Sequence, residues 1–188
     1  MADQEGIRIR LGTARDIPRL AEVAVQSWRT TYQDWAPTSL VNAMTVSVAS
    51  AMFAQCLDSQ THSYFLYVAE KTGNEIIGFV DGGKDRNHLD QNQGELYSIY
   101  ILKEHQNQRI GTLLFNAALS RCQQLRMDSM VVWIFSENPY KKFYEKMGGQ
   151  IQENHKKIQF GKYELEVTAY YWYWKPSTFH FKPVSISS

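Results

Sequence analysis

Charged and apolar residues alternate at positions 8–11 and predict a short first strand. Thr13 offers a helix N-cap, with Asp16 three residues on as an approximate capping box. Ile17, Leu20, Ala21, Ala24, Val25 and Trp28 then recur at helical spacing, which carries a first helix to about Tyr32. The stretch 34–38, with Pro37, reads as a break. A second helix is expected over 45–57, where Val48, Ala51, Met52 and Cys56 recur on one face.

The period then changes. Residues 64–70 and 75–80 are β-rich runs separated by Thr72-Gly73-Asn74, a hairpin signal. Positions 84–93 are polar almost throughout and read as a loop. The run 95–102 is nearly all apolar and reads as a central strand. Ile110, Leu113, Leu114, Ala117, Ala118 and Leu125 mark a long amphipathic helix beginning near Arg109. A further strand is expected over 130–135 and a short helix over 139–147. Gly148-Gly149 ends that helix, as glycine does at a C-terminal cap. A closing hairpin over 157–174 is expected to turn near Gly161, and the Ser/Pro-rich tail over 175–188 to fray. The order β-α-α-β-β-β-α-β-α-β-β gives an α/β domain over 1–174 with a mixed sheet of about seven strands and about four helices.

Composition narrows the function classes. The chain has 188 residues, enough to bury a core without metal or disulfide staples. Lys plus Arg is 20 and Asp plus Glu is 19, a net charge of +1, so nucleic acid is not the expected partner. No run is long and apolar enough to span a bilayer. The N-terminus carries no signal-peptide core, so a cytoplasmic protein is expected. Cys56 and Cys122 are too few for a disulfide framework, and the five histidines are scattered singly, with no zinc spacing. Cys122 sits mid-helix with no placed histidine, which argues against an acyl-carrying nucleophile.

The most informative segment runs from the strand at Glu95 into the helix at Arg109. The first N–H groups of a helix have no internal partner and lie at the positive end of its dipole, a ready site for phosphate. Gly111 has no Cβ to keep an anion from the backbone, and Arg109 adds a fixed positive charge. From the residues alone this competes with an ordinary strand–helix connection that happens to hold one glycine. The Rossmann and Walker glycine patterns are absent.

Gln106-x-x-Arg109-x-Gly111 resembles the Q/R-x-x-G-x-G/A signature of the GNAT superfamily of N-acetyltransferases. The likeness extends to the strand before it, to Asn138, to Phe143-Tyr144-Glu145-Lys146-Met147-Gly148-Gly149, and to the Trp28…Tyr32 pair ending the first helix. It covers residues 6–174. Arg109 stands where the family most often has its first glycine, so a right-handed helical conformation is expected there.

The resemblance implies a mostly antiparallel central sheet and acetyl-CoA as co-substrate. Its pyrophosphate would be cradled by Gln106, Asn107, Gln108, Arg109, Ile110, Gly111 and Thr112. Its pantetheine arm would run along the backbone of Ile99, Tyr100 and Ile101 and meet Asn138. It implies Tyr144 as the acid that protonates the leaving thiolate; core packing at helical spacing is the plainer reading of that side chain. It implies Glu95 as general base, on the same strand face as Tyr97, Ile99 and Ile101 by the period-two rule; a solvated strand end is the alternative. Trp28, Tyr32 and Tyr97 are expected around the acceptor, and Trp35 enters the same loop. Asp85 and Asp90 either attract a cationic amine or are simply solvated. The expected activity is acetyl transfer to a primary amine of a small molecule by direct attack in a ternary complex. A protein N-terminal or lysine acetyltransferase and a non-catalytic acyl-CoA-binding module are the alternatives. No metal is expected, and a homodimer is compatible with this reading.

Overall fold

A computed structural model of the chain describes residues 6–58, 63–86, 92–151, 156–160 and 163–174. The tail expected over 175–188, the hairpin turn at Gly161 and Asp90 lie outside the described residues.

Strand β1 (Ile7–Leu11) leads through a single 3-10 turn (Ala14–Asp16) into helix α1 (Ile17–Tyr32). The capping box forms: the Asp16 carboxylate accepts the Thr13 N–H at 2.8 Å. The same carboxylate takes two hydrogen bonds from Arg10, at 2.8 and 2.9 Å. Those bonds hold its pKa down at about 2. Two further helices follow, α2 (Thr38–Ala43) and α3 (Val46–Asp58). The first of them was not expected. It is one short, weakly periodic turn behind Pro37, with only Leu40 and Val41 buried.

The sheet continues with β2 (Phe65–Lys71), β3 (Glu75–Lys84) and β4 (Gln93–Ile101). Gly73 and Asn74 take positive φ in the β2–β3 turn, as a tight hairpin needs. Strand β3 runs four residues past its expected end. Its last stretch, Asp-Gly-Gly-Lys, looks like loop, but a Cβ at Gly82 would lie 2.5 Å from the Glu95 carbonyl oxygen. The glycine is there for close strand approach, not for a turn. Helix α4 (Ile110–Gln124), strand β5 (Ser129–Phe135), helix α5 (Lys141–Lys146) and strands β6 (Gln150–Ile151), β7 (Lys156–Phe160) and β8 (Tyr163–Tyr173) complete the chain.

The sheet has eight strands among the described residues, in the order β1-β2-β3-β4-β5-β8, with β6 and β7 both paired to β8. Only β4 and β5 run parallel, so the sheet is mixed and mostly antiparallel, as expected. The eighth strand is β6, whose two residues are too few to show a period. The main core lies between the sheet and α4, around Leu114, Phe115, Met130 and Tyr170. A second core packs α1 and α3 on the opposite face, around Leu20, Val23, Phe53 and Phe79. Cys122 is fully buried in the main core, where desolvation pushes its thiol up to about 12. No helix among the described residues is long and apolar enough to cross a membrane.

Candidate active site

Strands β4 and β5 pair only from Gln93↔Ser129 to Leu96↔Val132. Beyond that they part. β4 continues against β3 as far as Ile101↔Gly78, and β5 against β8 as far as Phe135↔Val167. A cavity of about 940 Å³ fills the wedge.

A register shift at Asp81/Gly82 decides which β4 side chains face which way. Ile99 and Ile101 pack on the α4 side, whereas Tyr100 packs on the α1 side. Glu95, Tyr97 and Ser98 also belong to the α1 side: Tyr97 stacks with Tyr64, and Ser98 donates to Asp81 at 2.5 Å. The expectation that Glu95, Tyr97, Ile99 and Ile101 share one face is therefore wrong. An irregular residue in the ladder breaks strict alternation, and no spacing reveals it. The cavity is lined from both sides, by Ile99, Ile101 and Ile134 on one and by Tyr97, Ser98 and Phe135 on the other. It passes through the sheet.

At the α4 end the cavity meets the turn before that helix. Gln106, Asn107, Arg109, Gly111 and Thr112 line it. The Ile110 side chain is instead buried in the core, and exposed Gln108 donates to the Glu104 carbonyl at 3.4 Å. Asn107 and Arg109 both have positive φ, 60° and 59°. Arg109 is thus left-handed, not helical as expected, and the family's glycine position keeps a glycine's conformation with an arginine in it. No side chain caps α4, so its first N–H groups lack intrahelical acceptors and face outward. Gly111 serves packing: a Cβ there would sit 3.2 Å from Phe143 and 3.4 Å from Ile101. Gln106 is pinned in place, donating to the Ile101 carbonyl at 3.1 Å and accepting from the Tyr140 hydroxyl at 3.1 Å.

Tyr144 and Asn138 sit at the waist. Tyr144 is buried against Tyr170 and Trp172, and its hydroxyl has no hydrogen-bond partner among the described residues. Burial, then the neighbouring Tyr32 and Tyr170, drive its pKa well above the ordinary phenol value. The Asn138 side chain accepts the Tyr140 N–H at 2.8 Å and donates to the Tyr32 hydroxyl at 3.4 Å. It closes a turn ahead of α5, which starts two residues later than the Asn-Pro pair suggests.

At the far end Trp28 and Tyr32 stand over Phe135, with ring centroids 6.4 and 5.5 Å from it. Trp35 is not part of the lining; it packs behind Tyr32 at 5.5 Å. Glu95 is 1% exposed, so it is not a solvated strand end. Its Oε2 accepts the Arg86 backbone N–H at 2.8 Å, and its Oε1 accepts from the Arg86 guanidinium. The guanidinium lies 4.1 Å over the Tyr97 ring. Asp85, expected either to attract a cationic amine or to be solvated, is 2% exposed and does not line the cavity. Sequence reasoning missed Arg86, Ser98 and Trp133. Arg86 lies in a featureless polar run, and the other two are ordinary strand residues until the wedge opens beside them. No group of three or more His, Cys, Asp or Glu side chains among the described residues is placed to hold a metal ion.

A mixed sheet splits between its two parallel strands, with an uncapped helix start at one mouth of the split, and the chain belongs to the acetyltransferase (GNAT) family, whose model matches residues 25–149. An uncharacterized N-acetyltransferase, YuaI of Bacillus subtilis, is 31% identical over 139 residues, covering 74% of this chain and 78% of YuaI. Among solved structures, the PaiA N-acetyltransferase of Thermoplasma acidophilum in complex with coenzyme A superimposes with a TM-score of 0.68 at 20% identity, covering 87% of this chain and 97% of that one. YncA of Salmonella typhimurium, solved with acetyl-CoA, gives 0.69 at 18% identity, covering 93% and 97%.

Proposed function

We propose that the protein transfers acetyl from acetyl-CoA to a primary amine of a small molecule, by direct attack with both substrates bound. The observation that carries this reading is the cavity running through the sheet, with an uncapped helix start at one end and aromatic walls at the other. Met44 and Met52 also line it, from the α2–α3 side, and favour a small acceptor over a peptide lying in an open groove.

The residues present suit acetyl-CoA. The N–H groups of Ile110, Gly111 and Thr112 and the Arg109 cation would hold phosphate oxygens. The β5-facing edge of β4 at Ile99, Tyr100 and Ile101 has main-chain groups open to the pantetheine amides. Acetyl-CoA supplies the acetyl group as a thioester. A β4 main-chain N–H near Ile99–Ile101 would polarise the carbonyl as charge develops on its oxygen. Tyr144, protonated at neutral pH and on the lining at the waist, would be the general acid by its place, with burial making its hydroxyl a weaker donor than a free phenol. Glu95, held by Arg86, is the one carboxylate among the described lining residues and would take the ammonium proton.

The test measures thiol release from acetyl-CoA across a panel of amino acids, polyamines, aminoglycosides and peptides, with calorimetric acetyl-CoA binding alongside. Transfer to small amines supports the reading. Tight binding with no transfer to any amine would leave an acyl-CoA-binding module, and peptide-only transfer a protein acetyltransferase.

A further inference from the structure

The acceptor half of the cavity is electrically polarised. Its one lining carboxylate among the described residues, Glu95, is 1% exposed, and Asp81 lies behind Ser98, off the lining, at 7% exposed. Its cations lie at the rim, where the Arg86 side chain is 59% exposed and Lys156 is exposed. Both cations line the cavity. Glu95 engages only part of the Arg86 guanidinium, through Nε and Nη2; the Nη1 group makes no hydrogen bond among the described residues. Lys156 sits 5.6 Å over the ring of Trp133, a lining residue whose indole N–H is buried with no acceptor among the described residues. A buried donor left unpaired costs free energy that a ligand oxygen would recover. The rim therefore presents donors and positive charge.

Resting on the function proposed above, we propose that the acceptor is an amine that also carries a carboxylate, of the α-amino-acid class, with that carboxylate held at the rim by Arg86 and Lys156. The chemistry fixes the direction. The amine must reach the thioester at the waist near Tyr144, so the remainder of the head group is left to the acceptor half, where Arg86 and Lys156 line the cavity. A zwitterion matches this polarity at both ends. A polyamine would set its second ammonium against Arg86 and Lys156, where like charges repel. The planar guanidinium, fixed over Tyr97 and tied to Glu95, is already placed for two-point contact with a carboxylate.

The experiment compares each of the twenty amino acids with its own α-amide, together with putrescine, by thiol release from acetyl-CoA. The readout is the ratio of kcat/KM for acid over amide, so that any disturbance of Glu95 affects both terms. For the best amino acid the ratio should be about tenfold or more. Arg86→Lys keeps the charge opposite Glu95 but loses the fork, and Lys156→Gln removes the second cation. Each should bring the ratio severalfold closer to one. Transfer that favours the amides or putrescine, or ratios unmoved in both folded variants, overturns the proposal and leaves the acetyltransferase reading intact. Transfer to none of these amines but to another small amine, such as an aminoglycoside, overturns this proposal alone; acetyl-CoA binding with transfer to no amine at all overturns both.

Discussion

The two ends of the cavity are built from different materials. The α4 end is main chain: two left-handed residues, an uncapped helix start and an open strand edge, within residues 97–112. The opposite end, where the acceptor is proposed to bind, is side chain: Trp28 and Tyr32 from α1, Arg86 after β3, Glu95 and Ser98 from β4, and Trp133 and Phe135 from β5. A backbone site depends on spacing and dihedral angles and tolerates many side chains. A side-chain site depends on identities brought together by the fold, and it is where one relative can differ from the next.

The largest effect should come from the waist between the two ends. Tyr144→Phe keeps the ring against Tyr170 and Trp172, so the fold should survive while kcat falls by roughly 100-fold and acetyl-CoA affinity holds. Steady-state kinetics with calorimetry separate the two; an unchanged kcat would give the proton donation to another group. Glu95→Gln should lower kcat by roughly 10- to 100-fold at neutral pH, with a deficit that shrinks as rising pH supplies free amine. A pH–rate curve overlaying the parent would reduce Glu95 to an anchor for Arg86.

Asp81→Asn probes the acceptor end through stability. Burial raises the folded Asp81 carboxyl from 3.8 to about 6, so keeping it ionised costs the folded state. That cost grows as pH rises from 3.8 to 6 and is complete above 6. The variant should therefore gain about 1–3 kcal/mol at pH 8, and the gain should vanish near pH 3. Denaturant melts at the two pH values check it, and an equal gain at both would assign the effect to packing. The smallest effect is expected at the α4 end. Arg109→Gly relieves a left-handed arginine and should stabilise by about 0.5–1 kcal/mol while weakening acetyl-CoA binding through the lost charge. A loss of stability would mean that the arginine side chain holds the turn.

The same division governs what the sequence discloses. The start of α1, the Gly73-Asn74 turn and the end of α5 at Gly148, with φ +83°, all follow from local chemistry that a few adjacent residues carry. The place of the α4 turn is legible for the same reason, although its handedness at Arg109 is not: a φ of 59° is one that the residue type disfavours. The register shift beside Asp81 leaves no trace in the hydrophobic pattern, and with it goes the facing of Glu95 relative to Ile99. Arg86 could not be picked out, because its meaning comes from Glu95 and Tyr97, which join it only when β3 and β4 pair.

The wedge between β4 and β5 has a mechanical side as well. Strands β1 to β4 and strands β5 to β8 form two panels whose only ladder among the described residues is the parallel stretch Gln93–Leu96, reinforced by the buried Gln93–Ser129 side-chain bond at 3.1 Å. On the function proposed above, a ligand lying in the wedge would bond to one panel while packing on the other, as a rivet across that seam. Loading should then raise the melting temperature with the logarithm of ligand concentration. It should also slow amide exchange along both panels, so that the enzyme at work is a stiffer body than the enzyme at rest.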